Sequence, residues 1–423
     1  MTDIDGATKA PLSPQPATDP TAEPPSRPPV ARLVGVDLAR AIAVIGMFAV
    51  HVGPFGATGN GVADWFLELA GGRASALFAM LAGFSLTLIA GRPEPKEGLA
   101  FRQARARILI RAAVLFVVGT LLAMTNFGGA EILSFYALYF VLALPLLRLP
   151  ARGLAAVALV LALVTPQLNY GLRLLLSESA VRTVDTYDPL ARISDVGVLD
   201  LTLTGLYPAI TWMTFVVTGM AVGRLDLTSW DVRKKLAAVA ASMIAFGYGV
   251  SWLLLRVTGG AKYVMSGGPS PEDLEKLMSD PSAAAGGFES PVGHDLWGSQ
   301  AWGLLGAEGH SGSTFDLVGA LGIAITVLLC ATVAMERVDW LRKALTPVVA
   351  VGTMSLTLYV GHIVAILALP GEAATPPQDA SGPLWLCFVA GAVLFAGVWS
   401  RFFRRGPLEE ILHRATKPAA AIR

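Results

Sequence analysis

Long runs of apolar residues recur along this chain, and each is close to the roughly 20 residues that a helix needs to cross a ~30 Å hydrocarbon core. Ten such spans are predicted, near residues 33–52, 74–90, 108–125, 131–148, 153–169, 206–223, 236–256, 315–335, 346–369 and 383–400. Hydrophobic residues make up 54% of the sequence and charged residues 15%, which leaves too little polar surface to cover a soluble globule. The sequence therefore predicts an all-α, polytopic integral membrane helical bundle of about ten transmembrane helices.

The basic residues lie mostly on one side of the predicted spans. Of the 32 Lys and Arg residues, 24 fall in the N-terminal tail, the even-numbered connections and the C-terminal tail, whereas 7 fall in the other connections. Short basic loops stay in the cytoplasm. This distribution predicts a multi-pass protein of the plasma (inner) membrane, with both termini in the cytoplasm and an even number of spans.

The segments outside the spans have distinct compositions. Residues 1–30 are rich in Pro, Ala, Thr and Asp and are predicted to be a disordered cytoplasmic tail. Residues 31–405 are the predicted ten-helix domain, with a long outer loop at 257–314, and residues 406–423 are a cytoplasmic C-terminal tail. The two cysteines lie far apart in apolar runs and support neither a disulfide framework nor a cysteine metal site.

The first span contains three ionisable residues, which are costly inside a membrane and are therefore candidates for function. Arg40 and His51 are eleven residues apart, which places them within about 20° on one helix face and about 16 Å apart along the axis. Asp37 is three residues from Arg40 and can pair with it. A structural interpretation also stays open, in which Arg40 snorkels beside Asp37 and His51 is an interfacial residue bonded to a neighbouring helix.

The ninth span carries a second polar face, formed by Ser355, Tyr359 and His362 at positions i, i+4 and i+7. Because the rest of the segment is apolar, this face is predicted to point into the bundle. The predicted orientation places His362 in the outer half of the membrane, which also contains His51. The alternative is a structural hydrogen-bond seam between helices.

Further polar residues lie at the predicted outer ends of spans. Ser313 and Asp316 have the spacing of a capping box ahead of the eighth span, whereas His310 has no capping role. Glu131 stands at the start of the fourth span, where the helix dipole favours a negative charge. Aromatic residues at these ends are interpreted as an interfacial belt, namely Tyr207, Trp212 and Trp302. His310 and Asp316 are added to the candidate catalytic residues.

The inner loop before the third span contains a basic cluster of Arg102, Arg105, Arg107 and Arg111. Such clusters often serve only as topology signals. Guanidinium groups also bind phosphate in a bidentate manner, so Arg102, Arg105 and Arg107, together with Arg40, are candidates for binding a nucleotide-bearing cofactor. A general base at the outer end and an anion site at the inner end suit group transfer across the bilayer.

Several segments resemble the transmembrane acyltransferase superfamily. The first, RLVGVDLARAIAVIGMFAVH, resembles bacterial proteins related to heparan-α-glucosaminide N-acetyltransferase and to the YeiB family. Others follow in order along the chain: GGRASALFAMLAGFSL, EILSFYALYFVLALP, YPAITWMTFVVTGMAVGRLDL, HSGSTFDLVGALG, GTMSLTLYVGHI and GPLEEIL. Arg40 and His51 also match the Arg-x10-His signature of acyltransferase family three, the bacterial O-acetyltransferases of surface polysaccharides. This resemblance implies that His51 is essential and that acetyl-CoA enters from the cytoplasm towards an acceptor at the outer face.

These observations favour an enzyme that moves an acyl group, acetyl in the first instance, from cytoplasmic acyl-CoA to a hydroxyl or amine of an envelope glycan or glycolipid. His51 would deprotonate the acceptor or relay the acyl group, Arg40 would line the donor channel, and His310 or His362 would orient the acceptor. Two alternatives stay open: a transporter or flippase of a small solute or lipid, and a non-catalytic membrane relative. Membrane lipid is an expected partner, a homo-oligomer is compatible with the sequence, and neither a metal nor a nucleic acid is expected.

Overall fold

The computed structural model of the protein describes residues 34–53, 70–125, 131–194, 196–260, 301–369 and 382–422. Within these segments every regular element is a helix, so the prediction of an all-α bundle is confirmed. The predicted N-terminal tail at 1–30 and most of the loop at 257–314 lie outside the described residues. The described residues, from Val34 onwards, form one compact unit.

The described helices coincide with the predicted spans. In chain order they are α1 (Val34–Val52), α2 (Arg73–Ala90), α3 (Gly98–Ala123), α4 (Leu133–Ala143, extended by a 3-10 turn at Leu144–Arg148), α5 (Ala151–Leu175), α6 (Glu178–Tyr187), α7 (Pro189–Ser194), α8 (Ala209–Gly223), α9 (Trp230–Thr258), α10 (Thr314–Arg337), α11 (Asp339–Ala344), α12 (Thr346–Thr353), α13 (Ser355–Leu367), α14 (Gly382–Phe402) and α15 (Pro407–Thr416). Each of the ten predicted spans overlaps one of these helices or, for the ninth span, the pair α12 and α13.

Seven of the described helices are long and apolar enough to cross a membrane alone, namely α1, α2, α3, α5, α9, α10 and α14. An eighth crossing results if α12 and α13 form one span, although the two are bent by 86° at their junction. The segments Leu133–Arg148 and Ala209–Gly223 are apolar but shorter. The chain is a multi-pass membrane protein, while ten crossings and the cytoplasmic location of both termini stay predictions.

The core of the bundle forms around α1 and α2. Helix α1 packs against α2, α10, α12 and α14, and α2 packs along α8. The contact between α2 and α8 is close because two glycines lie where the helices meet. A Cβ atom at Gly83 would meet the carbonyl of Val216, and one at Gly219 would meet the carbonyl of Met80. Small residues of this kind allow membrane helices to approach each other.

Two segments outside the predicted spans are also helical. The connection at 170–205 contains the end of α5 and the short helices α6 and α7. The predicted tail at 406–423 contains α15, which packs against α3 and α13. Both α6 and α15 have a polar side and an apolar side, so a search for long apolar runs does not detect them.

Candidate functional site

The polar stripe on α1 defines two ends of the bundle. Arg40 donates one hydrogen bond to Asp37 Oδ1 at 2.9 Å and another to Ser85 Oγ of α2 at 2.7 Å. The predicted pairing of Asp37 with Arg40 is therefore confirmed. His51 lies eleven residues further along α1, a rise of about 16 Å. The end that contains Arg40 is called the arginine end below, and the end that contains His51 is called the histidine end.

At the histidine end, His51 meets His362 of α13. His51 Nδ1 lies 2.8 Å from His362 Nε2, and the two ring centroids are 5.1 Å apart. His362 is 4% exposed, and its ring centroid lies 4.8 Å from that of Phe48 and 5.3 Å from that of Tyr359. The predicted inward orientation of Tyr359 and His362 is confirmed. Two of the predicted catalytic histidines are thus joined by one hydrogen bond.

Beside this pair lies a group of buried hydroxyls and one carboxylate. The N–H of Ile132 donates to Tyr359 Oη at 3.1 Å, and Glu131 Oε2 accepts from the N–H groups of the first turn of α4. Glu131 Oε1, Tyr136 Oη and His362 Nδ1 are buried without a hydrogen-bond partner among the described residues. Buried polar atoms are nearly always paired, so Glu131 Oε1 and Tyr136 Oη are atoms to which a ligand or water would bind.

His310 belongs to the same neighbourhood. It is the only non-glycine residue of the described segments with a positive φ, 69°, a strained conformation that is enriched at functional sites. Its ring packs against Trp212 and Tyr207, with centroids 5.7 and 5.3 Å away. Burial lowers the pKa of His310 to about 4, and the positive charge of Arg73 acts in the same direction. His310 is therefore neutral near pH 7.

The surroundings of the His310 ring favour one of its nitrogens as the basic atom. The carbonyl of Leu206 acts on the His310 ring, although outside strict hydrogen-bond geometry, whereas Nδ1 has no hydrogen-bond partner among the described residues. Because a carbonyl can only accept, this contact favours the tautomer with the proton on Nε2 and the lone pair on Nδ1. The ring thus presents an unprotonated nitrogen in a buried position.

Arg73, at the start of α2, holds the loop that carries His310. Its guanidinium group donates to the carbonyl of Ala307 at 3.0 Å and to Tyr248 Oη at 3.2 Å. Tyr248 lies in a π-helical segment of α9, Ala245–Val250, and such segments are frequent at functional sites. One cation therefore joins α2, α9 and the loop before α10.

Asp316, the fourth predicted catalytic residue, contributes to the same loop. Its Oδ2 accepts from the N–H of Gly312 at 3.2 Å, and its own N–H donates to Ser313 Oγ at 3.0 Å. The predicted helix cap at Ser313 is therefore confirmed. The charged side chains that interact electrostatically with Asp316 are Arg73 and Glu308. These contacts make Asp316 part of the support for His310.

At the arginine end, Arg111 of α3 is the centre of a cationic cluster. The charges that act on it are those of Arg40, Arg107 and Arg405, and all of them are positive. Arg107 and Arg111 are four residues apart and therefore share one face of α3. Guanidinium groups gathered in this way suit a phosphate or another multivalent anion.

The structure separates the predicted donor-binding residues into two groups. Arg40 and Arg107 belong to the cluster around Arg111. Arg102 and Arg105 are exposed and lie about 180° and 120° around α3 from Arg111. Helical geometry alone predicts that Arg107 and Arg111 share a face of α3, and the structure adds that this face lies near Arg40.

Comparison with protein families divides the chain into two matched regions. Residues 32–251, just over half of the chain, match the model described as heparan-alpha-glucosaminide N-acetyltransferase, catalytic. The chain belongs to the heparan-alpha-glucosaminide N-acetyltransferase family. Residues 292–418 match a second model, described as a protein of unknown function (DUF418). No curated protein matches the chain.

Both matched regions contribute to the candidate site of this acetyltransferase-family protein. Arg40 and His51 lie in the first region, whereas His310 and His362 lie in the second. The hydrogen bond between His51 and His362 therefore joins the two regions. Membership supports a membrane acetyltransferase-like function at the level of the family, and the predicted resemblance is confirmed.

The sequence analysis of this family member did not predict the aromatic side chains that are buried around the histidines. The interpretation of Tyr207 and Trp212 as interfacial belt residues is wrong, because both are buried beside His310. Tyr136 and Tyr139 of α4 are buried as well. Their spacing of three residues in an apolar segment was the available signal, since it places two hydroxyl-bearing rings on one helix face.

Proposed function

We propose that this protein transfers an acetyl group from acetyl-CoA to a hydroxyl or amine of a cell-envelope glycan or glycolipid. The observation that carries the proposal is the hydrogen bond between His51 and His362, about 16 Å along α1 from Arg40. A cationic cluster at one end of this helix and an imidazole pair at the other match a donor that has phosphates at one end and a thioester at the other.

The hydrogen bond between the imidazoles favours one arrangement of their protons. His362 Nε2 faces His51 Nδ1, and the carbonyls of Leu358 and Tyr359 act on the other nitrogen of His362, although outside strict hydrogen-bond geometry. Carbonyls favour a proton on the nitrogen that faces them, so His362 Nε2 would accept and His51 Nδ1 would donate. The lone pair of His51 would then lie on Nε2, which is the basic atom of the pair.

Acetyl transfer then requires one proton transfer in each direction. His51 Nε2 takes the proton of the acceptor O–H or N–H, while the acceptor oxygen or nitrogen forms a bond to the thioester carbonyl carbon. The C–S bond breaks, and the CoA thiolate takes the proton from His51. A relay through acetylated His51 gives the same products. His310 Nδ1 would accept a hydrogen bond from the acceptor and orient it.

The cationic cluster supports the binding of the donor. Arg40, Arg107 and Arg111 would contact the phosphates of acetyl-CoA, because charge-assisted bonds from guanidinium to phosphate are strong and directional. The predicted orientation places this arginine end in the cytoplasm, where acyl-CoA is available, and the histidine end at the outer face of the plasma membrane. The acceptor would therefore be a glycan or glycolipid of the envelope.

Acetyl transfer by the purified protein tests the proposal. Radiolabelled acetyl-CoA is supplied with a simple α-glucosaminide, the acceptor class in the family description, and separately with extracted envelope glycan. The wild-type protein is expected to label an acceptor and to release free CoA, and His51→Ala is expected to lower the rate about 10²–10⁴-fold. Tyr187→Ala, which alters an exposed ring of α6, is the control. Equal rates in wild-type and His51→Ala protein would rule out the proposed base.

A second candidate function, transport of a small solute or lipid, is favoured by the break between α12 and α13. Discontinuous helices form the substrate sites of many transporters. Donor binding separates the two functions, because a ligand that binds the folded protein raises its thermal stability. A stabilising effect of acetyl-CoA or CoA supports the transferase, whereas no effect of either compound, together with solute flux in vesicles, supports transport.

A further inference from the structure

The ninth predicted span is broken at the start of the helix that carries His362. Helices α12 and α13 meet at Met354 and are bent by 86° relative to each other. The first N–H groups of a helix have no hydrogen-bond acceptor within the helix. In a membrane protein, another part of the chain must provide that acceptor. The group that bonds these N–H groups therefore fixes the start of α13.

Glu409 of α15 bonds to this first turn. Its Oε1 accepts from the N–H groups of Leu356 and Thr357 at 2.8 and 3.1 Å, and its Oε2 accepts from Thr357 Oγ1 at 2.5 Å. The N–H of Leu408 donates to the same Thr357 hydroxyl at 3.0 Å. A carboxylate is also the group that the helix dipole favours at this end. Glu409 thus caps α13 from a position 52 residues further along the chain.

The segment that carries Glu409 is itself held against the bundle. Helix α15 packs against both α3 and α13. Beyond the end of α15, the carbonyl of Ala420 accepts a hydrogen bond from Gln103 Nε2 of α3 at 3.2 Å. At the other end, Gly406 lies where a Cβ atom would meet the Glu409 carboxylate. The carboxylate therefore reaches α13 from a supported position.

The adjacent residue, Glu410, makes different contacts. It pairs with Arg405 at 3.4 Å and with Arg414 at 2.8 Å, on the more exposed side of α15. Exposed ion pairs of this kind contribute little to stability. Two neighbouring carboxylates on one helix thus differ in whether they contact α13, which makes Glu410 a matched control for Glu409.

The start of α13 determines where His362 lies. Tyr359 follows Thr357 by two residues and His362 follows it by five. Each residue of an α-helix adds about 1.5 Å and about 100°, so a start displaced by one residue would turn His362 away from His51. A displacement of about 1 Å in a catalytic group can lower the rate about 100-fold.

We propose that Glu409 is a positioning residue. Its carboxylate fixes the first turn of α13 and thereby holds His362 in hydrogen-bond contact with His51. The effect of the Glu409 cap on catalysis rests on the proposed acetyl transfer, whereas its effect on the position of His362 does not.

Chemical modification of histidine tests the positional effect in the intact purified protein. The rate at which diethyl pyrocarbonate modifies His362 is followed by mass spectrometry in wild-type, Glu409→Ala, Glu409→Gln and Glu410→Ala protein. Glu409→Ala is expected to raise the rate at His362 about tenfold, because a helix released at its start opens more often. Modification of His310 is expected to stay unchanged, since Arg73 holds its loop. Glu409→Gln, which keeps one oxygen for the two N–H groups, is expected to be intermediate, and Glu410→Ala is expected to equal wild type.

Acetyl transfer provides the second readout. Glu409→Ala is expected to lower kcat about 10–100-fold with a change in KM for acetyl-CoA below about twofold, and Glu409→Gln is expected to recover part of kcat. If wild-type protein transfers no acetyl group, the proposed function fails and the modification rates alone decide the role of Glu409. Unchanged modification of His362 in Glu409→Ala overturns the inference. If Glu409→Ala does not fold, Thr357→Ala takes its place in the same comparison. This substitution removes only the contacts of the Thr357 hydroxyl.

Discussion

His51 Nδ1 lies 2.8 Å from His362 Nε2, so the first helix of the bundle and the second half of a broken span share one hydrogen bond. The two residues are 311 positions apart and lie in regions that match different family models. The packing of α1 against α2, α10, α12 and α14 fixes one imidazole, and the capped start of α13 fixes the other. The pair therefore depends on the whole bundle.

Removal of His362 is expected to lower acetyl transfer without abolishing donor binding. His362→Ala should lower kcat about 10–100-fold, the scale seen when a group that orients a functional histidine is lost. His362→Gln should recover part of this loss, because its carboxamide oxygen can accept from His51 Nδ1. Steady-state kcat and KM for acetyl-CoA are the measurements. Full kcat in His362→Ala would contradict a role for the pair.

Arg111 is expected to contribute to the affinity for the donor. Arg111→Ala should raise KM for acetyl-CoA about tenfold or more with a smaller effect on kcat, because one charge-assisted contact to phosphate is lost. Arg105→Ala, on an exposed and different face of the same helix, is the matched control and should leave KM unchanged. Equal effects of the two substitutions on KM would mean that donor affinity depends on the total positive charge of the arginine end. The specific cluster around Arg111 would then have no role.

The close contact between α2 and α8 predicts a stability effect. Gly219→Ala should destabilise the bundle by about 1–3 kcal/mol or more, because its new methyl group would meet the carbonyl of Met80. Gly171→Ala in α5 is the control, since a Cβ atom there meets nothing within 4 Å. Thermal unfolding of both variants in the same detergent measures the difference. Equal unfolding midpoints would show that the two helices separate easily at this point.

The positions of the helices follow from the sequence because apolar length is a local property. The sequence predicts the first span at 33–52, and the helix is Val34–Val52. Helical geometry also placed His51 on the face of Arg40, and Tyr359 on the face of His362. Each of these predictions needs only the spacing of residues within one helix, so none of them depends on tertiary structure.

The contacts between helices could not be predicted in the same way. His51 and His362 each have a predicted face, yet nothing local indicates that α1 and α13 are neighbours. The break at Met354 lies inside a continuous apolar run, and the carboxylate that caps the following helix is 52 residues away. Trp212 is buried against His310, but a ring with a polar tip suits both a protein interior and a membrane interface.

His310 is expected to make the folded protein less stable as pH falls from about 6.5 towards 4. The pKa of its folded form is about 4, lowered by burial and by Arg73, whereas a solvated imidazole has a pKa near 6.5. Between these values the unfolded chain binds a proton at this position and the folded protein does not. The free energy of unfolding therefore falls by up to about 1.4 kcal/mol per pH unit in this window, and His310 adds no pH dependence above it.

Thermal unfolding recorded between about pH 7.5 and pH 4.5 checks this expectation. The unfolding midpoint of wild-type protein should fall across the window, and that of His310→Gln, which has no titrating group at this position, should fall less steeply. Because the glutamine side chain is neutral and can donate a hydrogen bond from its amide, the variant should remain folded near pH 7. Parallel curves for the two proteins would show that other titrating groups, and not the imidazole of His310, cause the loss of stability in acid.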